Sequence, residues 1–204
     1  MQEVSVIIPN FNGMAYLDGV LAGLECQSVN NFEVILVDNG SSDGSCAFVA
    51  ARYPWVHLIE LPENFGFCKA VNEGIKASRA PYVLLLNNDI EVTENFIEEM
   101  IFAIKRHPKA FSCAARMIQF HDRDKLDDAG NYYCALGWAY ARGKGKDIHI
   151  YEKEEKIFAS CAGAAIYRKK IFDKIGYFDE EHFAYLEDMD VGYRARIHGY
   201  ENWY

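Results

Sequence analysis

The sequence lacks the features of a membrane-spanning or exported chain. Its longest uninterrupted apolar run has ten residues, Tyr132 to Ala141, whereas a membrane-spanning helix needs about 20. The N-terminus, Met1-Gln2-Glu3, carries no basic residue, and the apolar run behind it stops at Pro9. We therefore expect neither a transmembrane segment nor a signal peptide.

Positive charge is scarce as well. The chain has 21 Lys and Arg against 30 Asp and Glu, which gives a formal net charge of −9. Proteins that bind the phosphate backbone of DNA or RNA carry the opposite sign, so we expect no nucleic-acid partner. The same sign disfavours bulk electrostatic attraction to a membrane, and leaves peripheral contact through other groups open.

Common site motifs are also missing. The six cysteines lie 20 or more residues apart without a C-x-x-C, which argues against a zinc ribbon and, without an export signal, favours buried free thiols. The absence of G-x-G-x-x-G and of the P-loop pattern disfavours dinucleotide and P-loop chemistry. Half of the chain is nevertheless apolar and 14% is aromatic, which excludes intrinsic disorder.

The first hundred residues alternate strand and helix patterns. Strands are predicted at Val4–Ile8, Phe32–Val37, Val56–Leu61 and Tyr82–Leu86, with helices at Met14–Glu25, before Tyr53, at Gly66–Ala77 and at Thr93–Arg106. This alternation predicts an α/β fold with a parallel sheet covered by helices on both faces. The second half is less regular, with a strand-like stretch from Phe158 to Tyr167 and a helix at Asp188–His198.

Polar residues follow three of the predicted strands, as Pro9-Asn10, Asp38-Asn39 and Asn87-Asn88-Asp89. Ligands of open parallel sheets bind beyond these carboxyl ends. Asp89 directly follows a buried strand, and Mg²⁺ or Mn²⁺ is often held by one or two carboxylates plus substrate phosphates. Capping of the next helix is the alternative role for this carboxylate.

A second acidic cluster contains Glu187, Asp188 and Asp190. Neighbouring aromatic residues could raise the pKa of one carboxyl group and make it a general base. The alternatives are structural. Acidic side chains are favoured at a helix start, and Asp190 stands four residues before Arg194, the spacing of a helical ion pair.

Several segments along the chain, taken together, resemble glycosyltransferase family 2. The matching segments are Val4–Asn12, Val37–Gly44, Asn64–Phe67 with Asn72, Leu84–Asp89, Gly163–Ala164 with Arg168, Gly176–Glu180, and Tyr185–Asp190 with Arg194. They occur in the order and spacing of that family over essentially the whole chain. The rhamnosyltransferase-like subgroup, which builds bacterial cell-surface polysaccharide, is resembled most.

The resemblance implies a GT-A fold, a Rossmann-like mixed and mostly parallel sheet with helices on both faces. It also implies inverting transfer from a nucleoside-diphosphate sugar to a hydroxyl acceptor. We expect one domain over residues 1–204, with a nucleotide-sugar half (1–106) and an acceptor-side half (107–204). The chain stops at Tyr204, inside a predicted strand, whereas family members usually continue, so we expect a truncated C-terminus.

The resemblance also implies roles for individual residues. Asp188 would deprotonate the acceptor, Asp38 would bind the base and ribose of a UDP- or dTDP-sugar, and Asp89 would bind Mg²⁺ or Mn²⁺. The other expected substrate-binding residues are Pro9, Asn10, Asn12, Asn39, Asn64, Gly66, Asn72, Asn87, Asn88, Gly163, Glu187 and Arg194. Asn87 replaces the first acidic residue of the metal motif, so metal binding would depend on Asp89.

The expected acceptor is a glycan or a lipid-linked glycan, used in the cytoplasm or at the inner face of the membrane. Two alternatives remain. A catalytically silent nucleotide- or glycan-binding domain is compatible with Asn87. A sugar nucleotidyltransferase is less favoured, because the loop Pro9–Gly13 has no Lys or Arg to hold a triphosphate.

Overall fold

One eight-stranded sheet contains strands from both halves of the chain. The computed structural model describes residues 2–204. In chain order its elements are β1 (Val4–Asn10), α1 (Met14–Glu25), β2 (Phe32–Asp38), α2 (Ser45–Arg52), β3 (His57–Glu60), α3 (Phe67–Ala77), β4 (Tyr82–Leu86), α4 (Phe96–Arg106), β5 (Ala110–Ala114), β6 (Met117–Ile118), β7 (Leu126–Asp128), β8 (Asn131–Tyr133), β9 (Ala139–Ala141), β10 (Lys156–Ile157), β11 (Ala164–Arg168), α5 (Lys169–Ile175), α6 (Glu187–Ile197) and β12 (Glu201–Trp203).

The strand order in this sheet is β10-β12-β5-β11-β4-β1-β2-β3. Strands β4, β1, β2 and β3 are parallel, whereas β11 runs antiparallel to both β4 and β5. The predicted mixed and mostly parallel sheet is therefore confirmed. Two small sheets, β6-β7 and β8-β9, lie outside it and belong to the irregular second half.

Helices cover both faces of the sheet, because the central strands are apolar on both sides. In β1, Val4, Val6 and Ile8 pack with α1, α2 and α4, while Ile7 packs with α3, α5 and α6 on the opposite face. This follows from the alternation of side chains along a strand. All six cysteines are free thiols; Cys68 and Cys113 are buried as predicted, whereas Cys26 is exposed and the other three are half-buried.

The sequence patterns located the central elements and missed others. Strand β5 and helix α5 were not predicted. The strand expected from Phe158 is confined to Ala164–Arg168, because the chain turns at Ala162-Gly163. Across residues 2–204, no helix has both the length and the apolarity to cross a bilayer.

Candidate active site

Side chains at the carboxyl ends of three parallel strands form one hydrogen-bonded network. Asn10 lies opposite Asp38 in the register of β1 and β2. The Asn10 Nδ2 donates to Asp38 Oδ1 at 2.8 Å, and its Oδ1 accepts from Asn88 Nδ2 at 2.7 Å. Asp38 Oδ2 accepts in turn from the Ser41 backbone N–H at 2.8 Å. The ends of β1, β2 and β4 are thus held together.

Asn39 extends this network to the loop before α3. Its Nδ2 donates to Asn64 Oδ1 at 2.8 Å and to the Gly66 carbonyl at 2.9 Å. Its Oδ1 accepts from the Phe65 backbone N–H at 3.0 Å. Because Asn39 is buried, these three hydrogen bonds satisfy its amide without water.

Gly66 allows a second segment to approach this loop. It has a φ of +89° and a ψ of 167°, a conformation that is essentially restricted to glycine. A Cβ atom there would lie 2.6 Å from the Phe183 carbonyl oxygen. Glycine at this position therefore lets the chain just before α6 pack against the loop before α3.

A cavity of about 310 Å³ lies over the network. The expected substrate-binding residues that line it are Pro9, Asn10, Asn39, Asn64, Gly66, Asn87 and Asn88. Within residues 2–204, Asp89 is the one charged side chain in its wall. Neutral amides and backbone groups therefore make up most of its polar surface.

A larger cavity of about 990 Å³ adjoins the first. Asn87 and Asp89 line both cavities, which therefore meet at the end of β4. The expected residues Gly163, Glu187 and Asp188 also line the larger one. Its wall carries further acidic groups and the basic or titratable side chains of Arg116, His121 and Arg123.

Asp188 stands in the first turn of α6 with both carboxylate oxygens hydrogen-bonded. Oδ1 accepts from the Met189 backbone N–H at 2.7 Å, and Oδ2 accepts from Asn131 Nδ2 at 3.0 Å. Burial raises the pKa of Asp188, and these hydrogen bonds oppose that rise. A carboxylate with a raised pKa in a cavity wall has the properties of a general base.

Glu187 is more deeply buried, with 7% of its surface exposed. Within the described chain its Oε2 has no hydrogen-bond partner. Burial raises its pKa, and the charge of Asp188 adds to the rise. Two neighbouring carboxyl groups of raised pKa therefore lie at the start of α6.

The segment before α6 has an unusual backbone. Phe183, Tyr185 and Leu186 have φ values of 57°, 72° and 66°, in the left-handed region that non-glycine residues seldom adopt. Such strain persists where surrounding contacts hold it, and here the Cys68 backbone N–H donates to the Phe183 carbonyl at 3.3 Å. The segment leaves Tyr185 87% exposed in the wall of the larger cavity.

Four expected substrate-binding residues line neither cavity. The Arg194 guanidinium donates to Asp190 and to the carbonyls of Ile175, Gly176 and Tyr177. The ion-pair alternative for Asp190 is thus the observed arrangement, at 2.6 Å. Because its nitrogens are used in this way, Arg194 joins α6 to the end of α5 and is not available to a ligand.

Asn72 is likewise committed to packing. Its Nδ2 donates to the Phe178 carbonyl at 2.8 Å, and its Oδ1 accepts from the Phe178 N–H at 3.1 Å. Asp38 is a buried member of the network, 1% exposed. Asn12 shapes the loop beside it, accepting from the Ser42 N–H at 2.9 Å. These three residues therefore support the site from below or from the side.

Asp89 is suited to bind a divalent cation that the substrate phosphates also bind. It is exposed in the region where the cavities meet and forms no ion pair among residues 2–204. The same residues contain no group of three or more His, Cys, Asp or Glu suited to a metal. One carboxylate plus substrate phosphates suffices for Mg²⁺, so the residues present fit a substrate-bridged cation and not a cage made by protein alone.

No sequence pattern indicated the contacts that two residues make in this site. Asn131 reaches Asp188 from 57 residues away, and Phe183 lines the smaller cavity through its contact with Gly66. Neither belongs to a local polar cluster. The Tyr185–Asp190 segment is the nearest signal, since it placed Tyr185 beside the acidic residues.

Comparison with known proteins points to one family. The sequence profile of Glycosyl transferase family 2 matches residues 5–176. An N-acetylglucosaminyl-diphospho-decaprenol L-rhamnosyltransferase of Mycobacterium tuberculosis is 26% identical over 212 aligned residues, covering 93% of this chain and 69% of the relative. The glycosyltransferase GlyG of Streptococcus pneumoniae is 29% identical over 133 residues, covering 64% of this chain and 39% of the relative.

Solved structures with a similar backbone include two with bound sugar nucleotides. S. aureus TarS 1-349 in complex with UDP-GlcNAc has a TM-score of 0.70 at 21% identity, covering 95% of this chain. Mannosyltransferase PcManGT from Pyrobaculum calidifontis, in complex with GDP-Man and Mn²⁺, has a TM-score of 0.71 at 16% identity, covering 98%. This chain spans 53% of the length of each solved chain.

Proposed function

The chain belongs to glycosyltransferase family 2 and has the GT-A fold, and from that premise we propose that it transfers a sugar, with inversion, from a nucleoside diphosphate to a hydroxyl acceptor. One observation carries the proposal. The asparagine network at the ends of β1, β2 and β4 and the Asp188 carboxylate face two cavities that meet at Asp89.

The sugar nucleotide occupies the smaller cavity in this proposal. Its neutral amide groups donate hydrogen bonds without repelling a diphosphate, and the Asn10–Asp38 contact fixes their orientation. Asn39, Asn64 and Gly66 shape the wall. We assign a UDP- or dTDP-sugar, which agrees with the UDP-GlcNAc complex of TarS.

Asp89 would hold Mg²⁺ or Mn²⁺ together with the diphosphate oxygens. The bound cation would neutralise negative charge that develops on the leaving nucleoside diphosphate. Asn87 and Asn88 stand beside this carboxylate and line the same cavity. The Mn²⁺ in the PcManGT complex supports the assignment of a divalent cation.

Asp188 carries the proton transfer. Its carboxylate takes the proton of the acceptor hydroxyl as that oxygen bonds to the anomeric carbon of the sugar. The bond between this carbon and the diphosphate oxygen breaks on the opposite face, and the nucleoside diphosphate leaves. One direct displacement inverts the anomeric centre. Gly163 and Glu187 line the cavity in which the two substrates would meet.

The acceptor occupies the larger cavity and is a glycan or a lipid-linked glycan of the bacterial cell surface. The support is the 26% identity to an enzyme named for an N-acetylglucosaminyl-diphospho-decaprenol acceptor. A lipid-linked acceptor would place the reaction in the cytoplasm, at the inner face of the membrane.

Thermal stability with nucleotides tests the sugar-donor site. We would measure Tm with UDP, dTDP, GDP, ADP or CDP, each with Mn²⁺, Mg²⁺ or EDTA. A ligand at 100 times its Kd stabilises the folded chain by about 2.7 kcal/mol, a Tm rise on the order of 5–10 °C at this size. We expect a metal-dependent rise with UDP or dTDP.

The Asp89→Ala variant should lose the metal-dependent part of that rise. Asp173→Ala is the matched control, because Asp173 is an exposed aspartate that lines neither cavity, and it should keep the full rise. Equal rises in Asp89→Ala and the control would contradict the metal assignment. No rise with any nucleotide would contradict the sugar-donor site.

A catalytically silent binding domain is the second candidate. The observation in its favour is Asn87, an amide at the position where the family has the first acidic residue of its metal motif. Release of UDP or dTDP from the matching sugar nucleotide separates the two candidates. Turnover in the wild type that is lost in Asp188→Asn supports the enzyme. Nucleotide binding without turnover supports the silent domain.

A further inference from the structure

We propose that Asn131 is the positioning residue of the general base Asp188, an inference that rests on the proposed glycosyl transfer. The Asn131 amide donates to Asp188 Oδ2 at 3.0 Å across 57 residues of sequence. Asn131 is thus an uncharged partner of the Asp188 carboxylate. The other carboxylate oxygen, Oδ1, accepts from the Met189 backbone N–H. Each of the two hydrogen bonds thus holds one oxygen of the carboxylate.

The backbone of Asn131 is held in place at the start of β8. Its N–H donates to the Ala159 carbonyl at 2.9 Å, and its carbonyl accepts from the Phe158 N–H at 3.0 Å. The preceding Gly130 has a φ of +97°, and a Cβ there would lie 2.6 Å from Ile157 Cγ2. The chain is therefore fixed on both sides of Asn131, and its side chain meets Asp188 from a rigid support.

The groups around Asp188 explain why a neutral partner is needed. Asp128 is buried just before Asn131, and its Oδ1 accepts from the Gly130 N–H at 2.7 Å. Burial and the charge of Asp188 raise the pKa of Asp128 to about 6. The remaining titratable groups that face Asp188 are Cys161, Tyr167 and Glu187, while Asp127 and Lys144 lie near Asp128.

In these surroundings an amide has a specific advantage. Its N–H stabilises the ionised carboxylate at every pH, since the amide does not titrate. It also leaves a lone pair of Oδ2 available for the acceptor proton. An acidic residue at this position would instead repel the ionised base, and an apolar residue would leave Oδ2 without this partner.

The test compares Asn131→Ala and the isosteric Asn131→Asp with the wild type in the full chain. Both variants should lower kcat/KM for sugar transfer or sugar-nucleotide hydrolysis by about tenfold or more near neutral pH. The acidic limb of the pH profile should move to higher pH, further in Asn131→Asp. Binding of UDP or dTDP with Mn²⁺, measured by calorimetry, should stay unchanged.

Asn31→Asp is the matched control. Asn31 also donates to a carboxylate, Glu3 Oε2, at 2.9 Å, and it lines neither cavity. The same substitution there should leave the pH limb in place. A limb that stays in place in both Asn131 variants, or that moves equally in the Asn31 control, would overturn the proposal.

A second measurement is independent of turnover. The carboxyl-carbon NMR titration of Asp188, assigned with Asp188→Asn, should move to higher pH in both Asn131 variants. If the wild type shows no turnover and this titration still moves, the proposed reaction fails and the Asn131–Asp188 coupling stands. An unmoved titration overturns the positioning role whether or not the wild type is active.

Discussion

The two cavities differ in the chemistry of their walls. The smaller one is built from loops that follow regular parallel strands, and its polar groups are mostly amides that bind one another. The larger one is lined mostly by irregular segments of the second half and carries carboxylates such as Asp188 and the buried Glu187.

This difference separates recognition from proton transfer. Amides do not titrate and do not repel a diphosphate, so their network can hold a ligand at any pH. Carboxyl groups whose pKa is raised by burial titrate at higher pH than exposed ones and can exchange protons with a substrate. Changes in the larger cavity should therefore affect chemistry and its pH dependence, and changes in the smaller one should affect folding and nucleotide binding.

The largest effect is expected from Asp188→Asn. Loss of a general base lowers kcat by about 10²–10⁴-fold, while nucleotide binding in the smaller cavity should remain. Asp190→Asn is the control on the same helix, since it removes only the pair with Arg194 and should retain most of kcat. Steady-state kinetics and calorimetry give both quantities. Parallel loss of binding and turnover would remove the distinction between the cavities.

Gly66→Ala tests the wall of the smaller cavity. Both Gly66 and Gly176 have glycine-only backbones, with φ/ψ of 89°/167° and 85°/159°. Only at Gly66 would the new methyl group overlap Phe183. Gly66→Ala should therefore cost about 2 kcal/mol more free energy of unfolding than Gly176→Ala, and should weaken nucleotide binding. Urea denaturation measures the difference; equal costs would mean that the Phe183 contact adds nothing.

Asp128→Asn tests the buried acidic groups near the larger cavity. Folding raises the pKa of Asp128 from 3.8 to about 6. Its contribution to stability is therefore complete below about pH 4 and is lost as pH rises through about 6. The variant should match the wild type at low pH and exceed it near neutrality by about 3 kcal/mol at most, at 1.36 kcal/mol per pKa unit.

The comparison of Asp128→Asn with the wild type measures the loss of the Asp128 charge together with its coupling to Asp188. Asparagine keeps an oxygen to accept from the Gly130 N–H. Denaturant unfolding at several pH values measures the gain. A stability difference that stays constant from about pH 4 to pH 7.5 would show that Asp128 does not titrate in this range.

The smallest effect is expected from Tyr185→Ala. The side chain is 87% exposed, so stability should change by less than about 0.5 kcal/mol. Because Tyr185 lines the larger cavity, the KM of the acceptor should rise by about two- to tenfold, the range of an aromatic contact. Trp138→Ala is the control, since Trp138 is 71% exposed and lines neither cavity. Equal effects on KM would remove Tyr185 from the acceptor site.

The sequence alone determined the regular part of this protein. Apolar runs, which depend only on neighbouring residues, located β1, β2 and β4. Because these strands are parallel, the residues that follow them lie at one edge of the sheet. The same reasoning brought Asn10, Asn39 and Asp89 to the smaller cavity. Family resemblance, not periodicity, singled out Asp188.

Only the tertiary structure decided which polar side chains are available to a ligand. Arg194 and Asn72 match family positions, yet backbone carbonyls and amides of the second half use their hydrogen-bonding groups, in the case of Asn72 from 106 residues away. No sequence pattern indicated Asn131, yet it contacts Asp188. Partners so distant in sequence are set by how β8, α5 and α6 pack, and no local pattern encodes that packing.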